Sequence, residues 1–292
     1  MSRDEAGLEA VVVTHDSAEA LPACLAALRS NGVPVIVVDN ASRDGSAEIA
    51  ARNGARVIRN ARNEGYGRAN NRGVGSAEAA SILIINPDVV LDLGAAAELL
   101  AAARRYPDAG LYAPRLVEPS GRVFFQPRSL LSPYLPNPGG RHALPEGECC
   151  APFLSGACLM VRRDLFLQLG GFDQAIFLFY EDDDLCRRVA ETGHALVHVH
   201  GAVARHGRGR SSAPAPGRIF TGRWHQAWSR GYVSRKYGLP EPGLGVVALN
   251  AAKAAGAALL FQPRRVERYA GSAAGAWAFR RGRTALAREG LA

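Results

Sequence analysis

Residues 81–93 (SILIINPDVVLDL) constrain the fold more than any other stretch, because an aliphatic run passes directly into the polar triplet Asn86-Pro87-Asp88. A short apolar run of this kind predicts a strand that is covered on both faces, as in the parallel sheet of an α/β domain. Since proline cannot donate to a sheet ladder, Pro87 is expected to end the strand. Asn86 and Asp88 would then lie at the carboxyl end of the strand, where open α/β sheets collect their ligands.

The side chains of this triplet predict a site for a hard cation. Asn86 and Asp88 offer oxygen atoms, the ligands that Mg²⁺ and Mn²⁺ prefer. Because such ions fill their remaining positions with water and substrate phosphate, one or two protein ligands are enough. The alternative is a plain turn, since Asn, Pro and Asp are ordinary turn residues. These residues alone leave both interpretations open.

Strands and short helices alternate along the first part of the chain. Apolar runs predict strands at 10–14, 33–38 and 55–58, and the series Leu21, Cys24, Leu25 and Leu28 predicts a helix that Ser17 would cap. This alternation predicts an α/β fold, with a mostly parallel sheet that is flanked by helices and joined by right-handed crossovers. Further along, residues 127–150 predict a long irregular loop, and the acidic run 181–184 predicts the start of a helix.

Length and charge divide the chain into two parts. The 292 residues allow one large domain plus an extension, and we expect an α/β domain over 8–212 and a basic, Ala-rich helical extension over 213–292. Residues 218–292 carry 13 Lys and Arg against three Asp and Glu, whereas the net charge of the whole chain is +8. The basic character therefore belongs to the extension. The five cysteines lack Cys-x-x-Cys spacing and residues 1–10 lack an apolar segment, so a cytoplasmic location is expected.

Taken together and in order, the polar motifs of the chain resemble those of the family 2 glycosyltransferases with the GT-A fold. Within that family they are most similar to the rhamnosyltransferase-like enzymes of bacterial cell-surface polysaccharide synthesis. Several motifs in one order are more specific than any of them alone. They are Val13-Thr14, 37–42 (VVDNAS), 63–67 (NEGYG), Asn70-Asn71, Asn86-Pro87-Asp88, Ser155-Gly156-Ala157, 170–173 (GGFD), 181–184 (EDDD) and Arg205-His206.

Two positions depart from the family pattern. His15-Asp16 stand where such enzymes commonly carry Tyr-Asn, and Gly67-Arg68 alters a loop that usually holds small residues. Both lie on the expected nucleotide side, so they leave the base and the sugar open and do not affect the reaction type.

The resemblance implies a metal-dependent, inverting glycosyltransferase. The donor would be dTDP-rhamnose or a UDP-sugar, the acceptor a saccharide or a lipid-linked saccharide, and the cofactor Mg²⁺ or Mn²⁺. Asp88 and His206 would hold the metal. The expected nucleotide-sugar-binding residues are Thr14, Asp39, Asn40, Asn63, Gly65, Asn70 and Asn86. An alternative role for Asp39 is to cap the following helix.

Asp182 is the expected general base, because inverting transfer needs a carboxylate that removes the proton of the acceptor hydroxyl. Glu181 would orient the acceptor or support Asp182. The alternative is that these acids only stabilise a helix start through the macrodipole. His198 and His200 share one face of a predicted strand, which suits either a ligand pair or a solvated face.

Other classes of protein fit the chain less well. A Rossmann oxidoreductase needs Gly-x-Gly-x-x-Gly after its first strand, where this chain has His15-Asp16-Ser17. A nucleotidyltransferase shares the nucleotide and metal chemistry, but no Gly-rich basic loop is present near residue 15 to hold a triphosphate. A non-catalytic sugar-binding or scaffold protein stays an alternative if the acids are structural.

The extension is expected to contact a membrane. Residues 243–261 are apolar but include Asn250 and Lys253, and 19 residues fall just short of the roughly 20 that a bilayer span needs. The sequence therefore predicts an interfacial helix on an anionic membrane surface, with arginines following it. The alternative is packing on the body of the protein or on a second subunit. No nucleic-acid partner is expected, because the segment lacks a recognised binding motif.

Overall fold

The computed structural model describes residues 7–126, 129–131, 144–207, 209 and 211–291. These residues form one mixed sheet with helices around it, followed by a run of helices. The strands are β1 (Leu8–Thr14), β2 (Val35–Asp39), β3 (Arg56–Arg59), β4 (Ser81–Ile85), β5 (Val89–Leu91), β6 (Ala109–Val117), β7 (Val123–Phe124), β8 (Cys149–Cys150), β9 (Cys158–Arg162) and β10 (Ala195–His206). The helices are α1 (Leu21–Ser30), α2 (Ser46–Arg52), α3 (Tyr66–Ser76), α4 (Ala95–Arg105), α5 (Arg163–Gln168), α6 (Glu181–Glu191), α7 (Arg218–Lys236), α8 (Leu244–Leu259), α9 (Pro263–Arg280) and α10 (Ala285–Arg288).

The chain divides into two compact units, which we call the sheet unit and the helical unit. The sheet unit comprises Met1–Glu64, Arg68–Phe172 and Asp182–Ala213. The helical unit comprises Gly65–Gly67, Asp173–Glu181 and Pro214–Ala292. The break after Ala213 lies beside the predicted limits 8–212 and 213–292, but two short internal segments belong to the helical unit, and a single cut in the sequence cannot describe them.

The sheet has the strand order β3-β2-β1-β4-β9-β6-β10-β5, with β7 paired to β6 and β8 paired to β10. The pairs β1–β2, β2–β3, β1–β4 and β6–β10 are parallel. Strand β9 enters antiparallel between β4 and β6. The predicted α/β class is thus confirmed, and the sheet is mixed because β5, β7, β8 and β9 run against their neighbours.

Strand β4 is buried along its whole length, as its composition predicts. Ile82, Leu83 and Ile84 are fully buried, and β4 ends at Ile85, just before the polar triplet. The amide of Val89 then donates to the carbonyl oxygen of Asn86 (3.1 Å), which turns the chain into β5. The triplet therefore lies at the carboxyl end of β4 and also forms a turn. The two predicted interpretations, a site at the strand end and a turn, are compatible with each other.

The predicted helix α1 is present, but its start differs from the expectation. Leu21, Cys24, Leu25 and Leu28 are all buried and pack in the main core of the sheet unit. Ser17 does not cap α1 with its side chain: the amides of Ala20 and Leu21 donate to the main-chain oxygen of Ser17. The capping prediction was wrong because the Ser17 hydroxyl instead donates to the carbonyl oxygen of Ser211 (2.6 Å).

The helical unit has its own apolar core, which includes Trp224, Trp228 and Phe279. Glycines let its helices approach closely: a Cβ on Gly275 would lie 2.1 Å from the carbonyl oxygen of Trp224. A C-terminal helical part is therefore confirmed. Among the described helices, none combines the length and the apolar composition that crossing a bilayer requires.

The predicted loop at 127–150 lies mostly outside the described residues. Within it, the structure describes 129–131 and 144–150, where Cys149 and Cys150 form β8 opposite Val197 and His198.

Candidate active site

Strands β1 and β2 end side by side and present a buried carboxylate. The hydroxyl of Thr14 donates to Oδ1 of Asp39 (3.1 Å), and the amide of Ser42 donates to Oδ2 (3.3 Å). Thr14 is fully buried and Asp39 is nearly so. Asp39 thus caps its own turn at Ser42, whereas α2 begins after Gly45 without a side-chain cap. The alternative that Asp39 caps the following helix does not hold.

Asn40 connects this carboxylate to the loop that precedes α3. Its Nδ2 donates to Oδ1 of Asn63 (2.8 Å), and its Oδ1 accepts from Nδ2 of Asn60 (2.9 Å) and from the amide of Glu64 (3.0 Å). The structure therefore brings Thr14, Asp39, Asn40 and Asn63 together, as expected of one binding region. Asn60 was missed, because an isolated Asn before a loop carries no signal of its own.

Gly65 and the Asn70-Asn71 pair have different roles. Gly65 has φ +84°, and a Cβ there would lie 2.5 Å from the carbonyl oxygen of Phe177, so no larger residue fits. Asn71 is structural: its side chain donates to the carbonyl oxygen of Phe172 and accepts from the amide of Phe172, both at 2.8 Å. Asn70 is fully buried on α3. Of this pair, Asn70 is the one whose role in donor binding stays a prediction.

Asp88 lies beside His206 and Ser211. The antiparallel pairing of β5 with β10 places Val89 opposite His206, and Nε2 of His206 lies 3.6 Å from Oδ1 of Asp88. The Ser211 hydroxyl donates to the same Oδ1 (2.7 Å), and the amide of Gly207 donates to the main-chain oxygen of Asp88 (2.8 Å). The structure therefore brings the two expected metal ligands together. Ser211 was missed, because serine next to an Arg- and Gly-rich segment is ordinary loop composition.

The residues around Asp88 fit a divalent cation that shares its coordination with a substrate. Over the described part of the chain, no group of three or more His, Cys, Asp or Glu side chains converges as a metal site. The pair Asp88 and His206 supplies two ligands, and Asn86 adds a buried Oδ1 that has no hydrogen-bond partner among the described residues. Two ligands of one ion, each about 2.1 Å from it, lie at most about 4.2 Å apart, which the separation of Asp88 and His206 satisfies.

Asp182 is held at the start of α6 by backbone donors. Its Oδ2 accepts from the amide of Gly156 (3.0 Å), and its Oδ1 accepts from the amide of Asp183 (3.0 Å). A Cβ on Gly156 would lie 3.1 Å from Cβ of Asp182. Glycine in the Ser155-Gly156-Ala157 motif therefore allows the backbone to approach the Asp182 carboxylate. This close approach explains why the motif contains glycine at position 156.

Burial and crowding raise the pKa values of the two neighbouring acids. Burial raises the pKa of Asp182, against the lowering effect of its backbone hydrogen bonds. Burial and the charge of Asp182 raise the pKa of Asp183 to about 7, although the Ser129 hydroxyl favours the ionised form. Asp182 is half-buried, whereas only 8% of Asp183 is exposed. A base must reach the acceptor within hydrogen-bond distance, so exposure favours Asp182.

The remaining acids of α6 differ from this pair. Asp184 is fully buried and pairs with Arg188 (2.8 Å), whose other nitrogens donate to the carbonyl oxygens of Leu169 and Gly171. Asp184 is therefore structural. Glu181 is buried at the first position of α6 and directly precedes Asp182 in the chain. Phe179 and Tyr180 before it have positive φ angles of 68° and 69°, a costly conformation for aromatic residues.

His198 and His200 lie on one face of β10, as the spacing predicts, with ring centroids 6.1 Å apart. His198 is 3% exposed, so the solvated strand face proposed as an alternative is wrong. The ligand-pair interpretation is not favoured either, because the structure describes no third metal-ligating side chain beside them.

Comparison with known proteins agrees with this geometry. The family model described as Glycosyl transferase family 2 matches residues 9–170. The N-acetylglucosaminyl-diphospho-decaprenol L-rhamnosyltransferase of Mycobacterium tuberculosis is 31% identical over 265 residues, which covers 76% of this chain and 86% of that enzyme.

Two solved structures share the fold. The mannosyltransferase PcManGT from Pyrobaculum calidifontis, in complex with GDP-Man and Mn²⁺, has a TM-score of 0.57 at 16% identity and covers 93% of this chain and 86% of its own. GalNAc-T7 with UDP, GalNAc and Mn²⁺ also has a TM-score of 0.57, at 15% identity. The match covers 82% of this chain and about half (52%) of that chain.

The family match and the nucleotide-side network favour the glycosyltransferase interpretation over the nucleotidyltransferase and scaffold alternatives. Likeness in fold to the two solved structures agrees with the mixed sheet and with the position of Asp88 at its edge. The chain belongs to the family 2 glycosyltransferases and has the GT-A fold.

Proposed function

We propose that the chain transfers a sugar, with inversion, from a nucleotide diphosphate sugar to a lipid-diphosphate-linked saccharide in cell-surface polysaccharide synthesis. The observation that carries the proposal is the Asp88–His206 pair at the end of β4 and β10, with Asp182 held at the start of α6. The relative from Mycobacterium tuberculosis is named for rhamnosyl transfer to an N-acetylglucosaminyl-diphospho-decaprenol, which makes dTDP-rhamnose the first donor to test, before UDP-sugars.

The donor would lie across the ends of β1, β2 and β4. Thr14 and Asp39 are buried and fixed by hydrogen bonds, and the Asp39 carboxylate suits the N3–H of a uracil or thymine base. Asn40 and Asn63 hold the adjoining loop, and Gly65 gives close backbone approach.

The diphosphate of the donor would lie near Asp88, His206 and Asn86. A Mg²⁺ or Mn²⁺ ion held by Asp88 and His206 would neutralise charge that develops on the leaving diphosphate. Both solved structures hold Mn²⁺ together with a nucleotide or nucleotide sugar, which supports a divalent cation here and leaves the choice of metal open.

Asp182 would act as the base. The acceptor hydroxyl gives its proton to the Asp182 carboxylate as its oxygen bonds to the anomeric carbon, and the bond from that carbon to the diphosphate breaks. The leaving diphosphate takes the bonding electron pair. The raised pKa of Asp182 makes it a better proton acceptor, and Glu181 would orient the acceptor.

Product stereochemistry tests the proposal directly. The full chain is screened with dTDP- and UDP-sugars, and the anomeric configuration of the product is read by NMR. Direct displacement predicts opposite configurations at the anomeric carbon in donor and product. Retention would contradict single displacement, and absence of transfer or donor hydrolysis with every donor would contradict the enzyme itself.

The helical unit suits peripheral attachment to an anionic membrane, where a lipid-linked acceptor is presented. Large apolar side chains are exposed at the end of α8 and in the turn after it: Leu259 is 80%, Leu260 66% and Phe261 92% exposed. Arg264 and Arg265 follow at once and are also exposed. Apolar side chains enter the headgroup boundary, and each basic residue near an anionic surface contributes about 1 kcal/mol.

Vesicle flotation tests this attachment. The full chain should float with vesicles that contain phosphatidylglycerol and be released as salt rises, because the basic residues contribute part of the affinity. Combining Leu260→Ser with Phe261→Asn should weaken flotation about 10-fold or more. Leu167→Ser, which removes a side chain on α5 that is 43% exposed, serves as the matched control. Dimerisation that the double variant abolishes, without any flotation of the wild type, would instead assign the surface to a second copy.

A further inference from the structure

Arg115 on β6 lies beside His198 and His200 of β10 in a cluster that the proposed reaction does not use. Nη1 of Arg115 lies 3.2 Å from Nε2 of His200, and Phe125 packs edge-on against His198, with ring centroids 5.4 Å apart. The parallel pairing of β6 with β10, which has an irregularity between Val199 and Val203, brings these side chains together.

The cluster lies on the sheet face that α6 covers. Val197 and Val199 belong to the core on the opposite face, as does Leu116, so the alternation of strands directs His198, His200 and Arg115 away from that core. The pairing of β6 with β10 is irregular between Ala195 and Leu196, and this irregularity shifts the alternation at Gly110. A Cβ on Gly110 would lie 2.5 Å from Cγ1 of Val189 on α6, which is not part of that core, so α6 packs against β6 on the second face. The cluster and the candidate base thus share one side of the sheet.

The hydrogen-bonding capacity of the cluster is incompletely used. Three buried nitrogens have no hydrogen-bond partner among the described residues: Nε of Arg115, Nε2 of His198 and Nδ1 of His200. His198 is 3% exposed, and burial lowers its pKa to about 4, so it is a neutral side chain at pH 7 with one N–H to donate.

Arg115 also has no counter-charge among the residues that the structure describes. Within the described part of the chain, no carboxylate lies within salt-bridge distance of Arg115, and the nearby acid Glu148 pairs with Arg105 instead. The sequence of 127–128 and 132–143 contains no Asp or Glu. A half-buried cation without an anion is costly, so the site is suited to an anionic ligand.

We propose that Arg115, with His198 and His200 beside it, binds a phosphate group of the acceptor, in the diphosphate that joins the acceptor sugar to its lipid. The guanidinium presents a planar fork of donors that matches phosphate oxygens, and the neutral His198 adds a donor without repelling the cation. This inference rests on the proposed function, because it assigns the acceptor of that reaction a second point of recognition.

Kinetics with two acceptors test the site in the full chain. One acceptor carries N-acetylglucosamine on a short alkyl diphosphate, and the other carries it on an uncharged alkyl glycoside. Arg115→Gln should raise the KM for the diphosphate acceptor roughly 10- to 100-fold, the usual effect of losing hydrogen bonds to a charged group. It should change kcat, donor KM and the KM for the uncharged acceptor far less. Arg122→Gln is the control, since Arg122 is exposed at the neighbouring turn and pairs with Glu118.

A binding measurement separates this site from the donor site and from the proposed function. The probe is the alkyl diphosphate alone, titrated calorimetrically into the full chain with EDTA. Binding should be lost in Arg115→Gln and retained in Asp88→Asn. The reverse pattern would place the probe at the donor site and overturn the inference. If the chain transfers no sugar, binding that depends on Arg115 would still support the anion site while the proposed function fails.

Thermal melting distinguishes ligand binding from a structural role. Removing a cation that lacks a counter-charge should leave the melting temperature unchanged or raise it, and should abolish any stabilisation by the alkyl diphosphate. A fall of several degrees, with both acceptors affected equally, would mean that Arg115 only supports the irregular pairing of β10 through His200, and would overturn the inference.

Discussion

The ends of β1 and β2 and the start of α6 both hold carboxylates, but the two regions compensate the negative charge differently. At the first, Asp39 accepts hydrogen bonds from Thr14 and Ser42, and side-chain amides fix the neighbouring loop. At the second, Asp182 and Asp183 are adjacent, and each carboxyl has a raised pKa because of burial. Moreover, Oδ1 of Asp183 is buried without a hydrogen-bond partner in the described structure.

This difference would suit the first region to recognition of the donor and the second to proton transfer. A carboxylate whose hydrogen bonds are already made is rigid and suits the recognition of a ligand group, because little is lost on binding. A crowded carboxylate with a raised pKa gains from taking up a proton, which is what a general base does. Substitutions in the two regions test whether the first binds the donor and the second takes up the proton.

The largest effect is expected at Asp88. Asp88→Asn removes the charge beside His206, so it should reduce transfer below detection, and EDTA should do the same to the wild type. Asp92→Asn is the matched control, because it loses only an ion pair with Arg205 at the neighbouring strand end. Restoration of EDTA-treated enzyme by Mn²⁺ or Mg²⁺ would identify the metal, and full activity in EDTA would remove the metal from the reaction.

Asp182→Asn should lower kcat by about 10²–10⁴ and leave donor binding nearly intact, because it removes only the proposed proton acceptor. Asp183→Asn is the most direct comparison with Asp182→Asn, because it changes the adjacent carboxyl group. It also removes the electrostatic repulsion between Asp182 and Asp183. We expect Asp183→Asn to cost much less than Asp182→Asn. If the two variants lost activity equally, Asp183 would be an equally good candidate for the base.

Thr14→Val should weaken donor binding roughly 10-fold, because Asp39 would lose one of its two hydrogen-bond donors. The measurement is donor KM, with the melting temperature as a check on folding. Thr192→Val is the control, because Thr192 is an exposed threonine whose hydroxyl donates to the carbonyl oxygen of Val189. An unchanged donor KM in Thr14→Val would mean that Asp39 does not contact the donor.

The smallest effect is on stability as pH changes. The folded-state pKa of Asp183 is raised from 3.8 to about 7, so between these values the folded state binds more protons than the unfolded state. The contribution of Asp183 to stability should therefore fall as pH rises from about 4 to 7, and Asp183→Asn should melt higher than the wild type at pH 8. A wild type that becomes more stable over this range relative to Asp183→Asn would contradict the raised pKa.

Local sequence patterns were enough to predict secondary-structure elements in which neighbouring side chains are all of one kind, either apolar or acidic. The fully apolar residues 82–85 form β4, and the acidic run at 181 begins α6. Asp88 and His206 were placed together only through the family resemblance, since 118 residues separate them in the sequence. The structure supplies the reason, because β10 folds back along β5.

Other features depend on contacts that no local pattern contains. Ser17 was predicted to cap a helix, but its hydroxyl donates a hydrogen bond to the carbonyl oxygen of Ser211, which lies 194 residues later in the chain. Similarly, the side chain of Asn71 donates a hydrogen bond to the carbonyl oxygen of Phe172, 101 residues later. Asn71 therefore has a structural role that the Asn70-Asn71 motif does not reveal. The antiparallel direction of β9 was also not predicted, because an apolar strand carries no mark of its orientation.

The position of β9 has a consequence for how the chain folds during its synthesis. Strands β4 and β6 leave the ribosome well before residues 158–162, yet in the finished sheet each of them pairs with β9. Until β9 is made, both present open edges that can pair with other chains. Sheets fold slowly when strands that are far apart in the sequence, as β4 and β9 are, must pair. Nascent chains that stop short of β9 should therefore bind chaperones strongly, and chains extended through β10 should escape them.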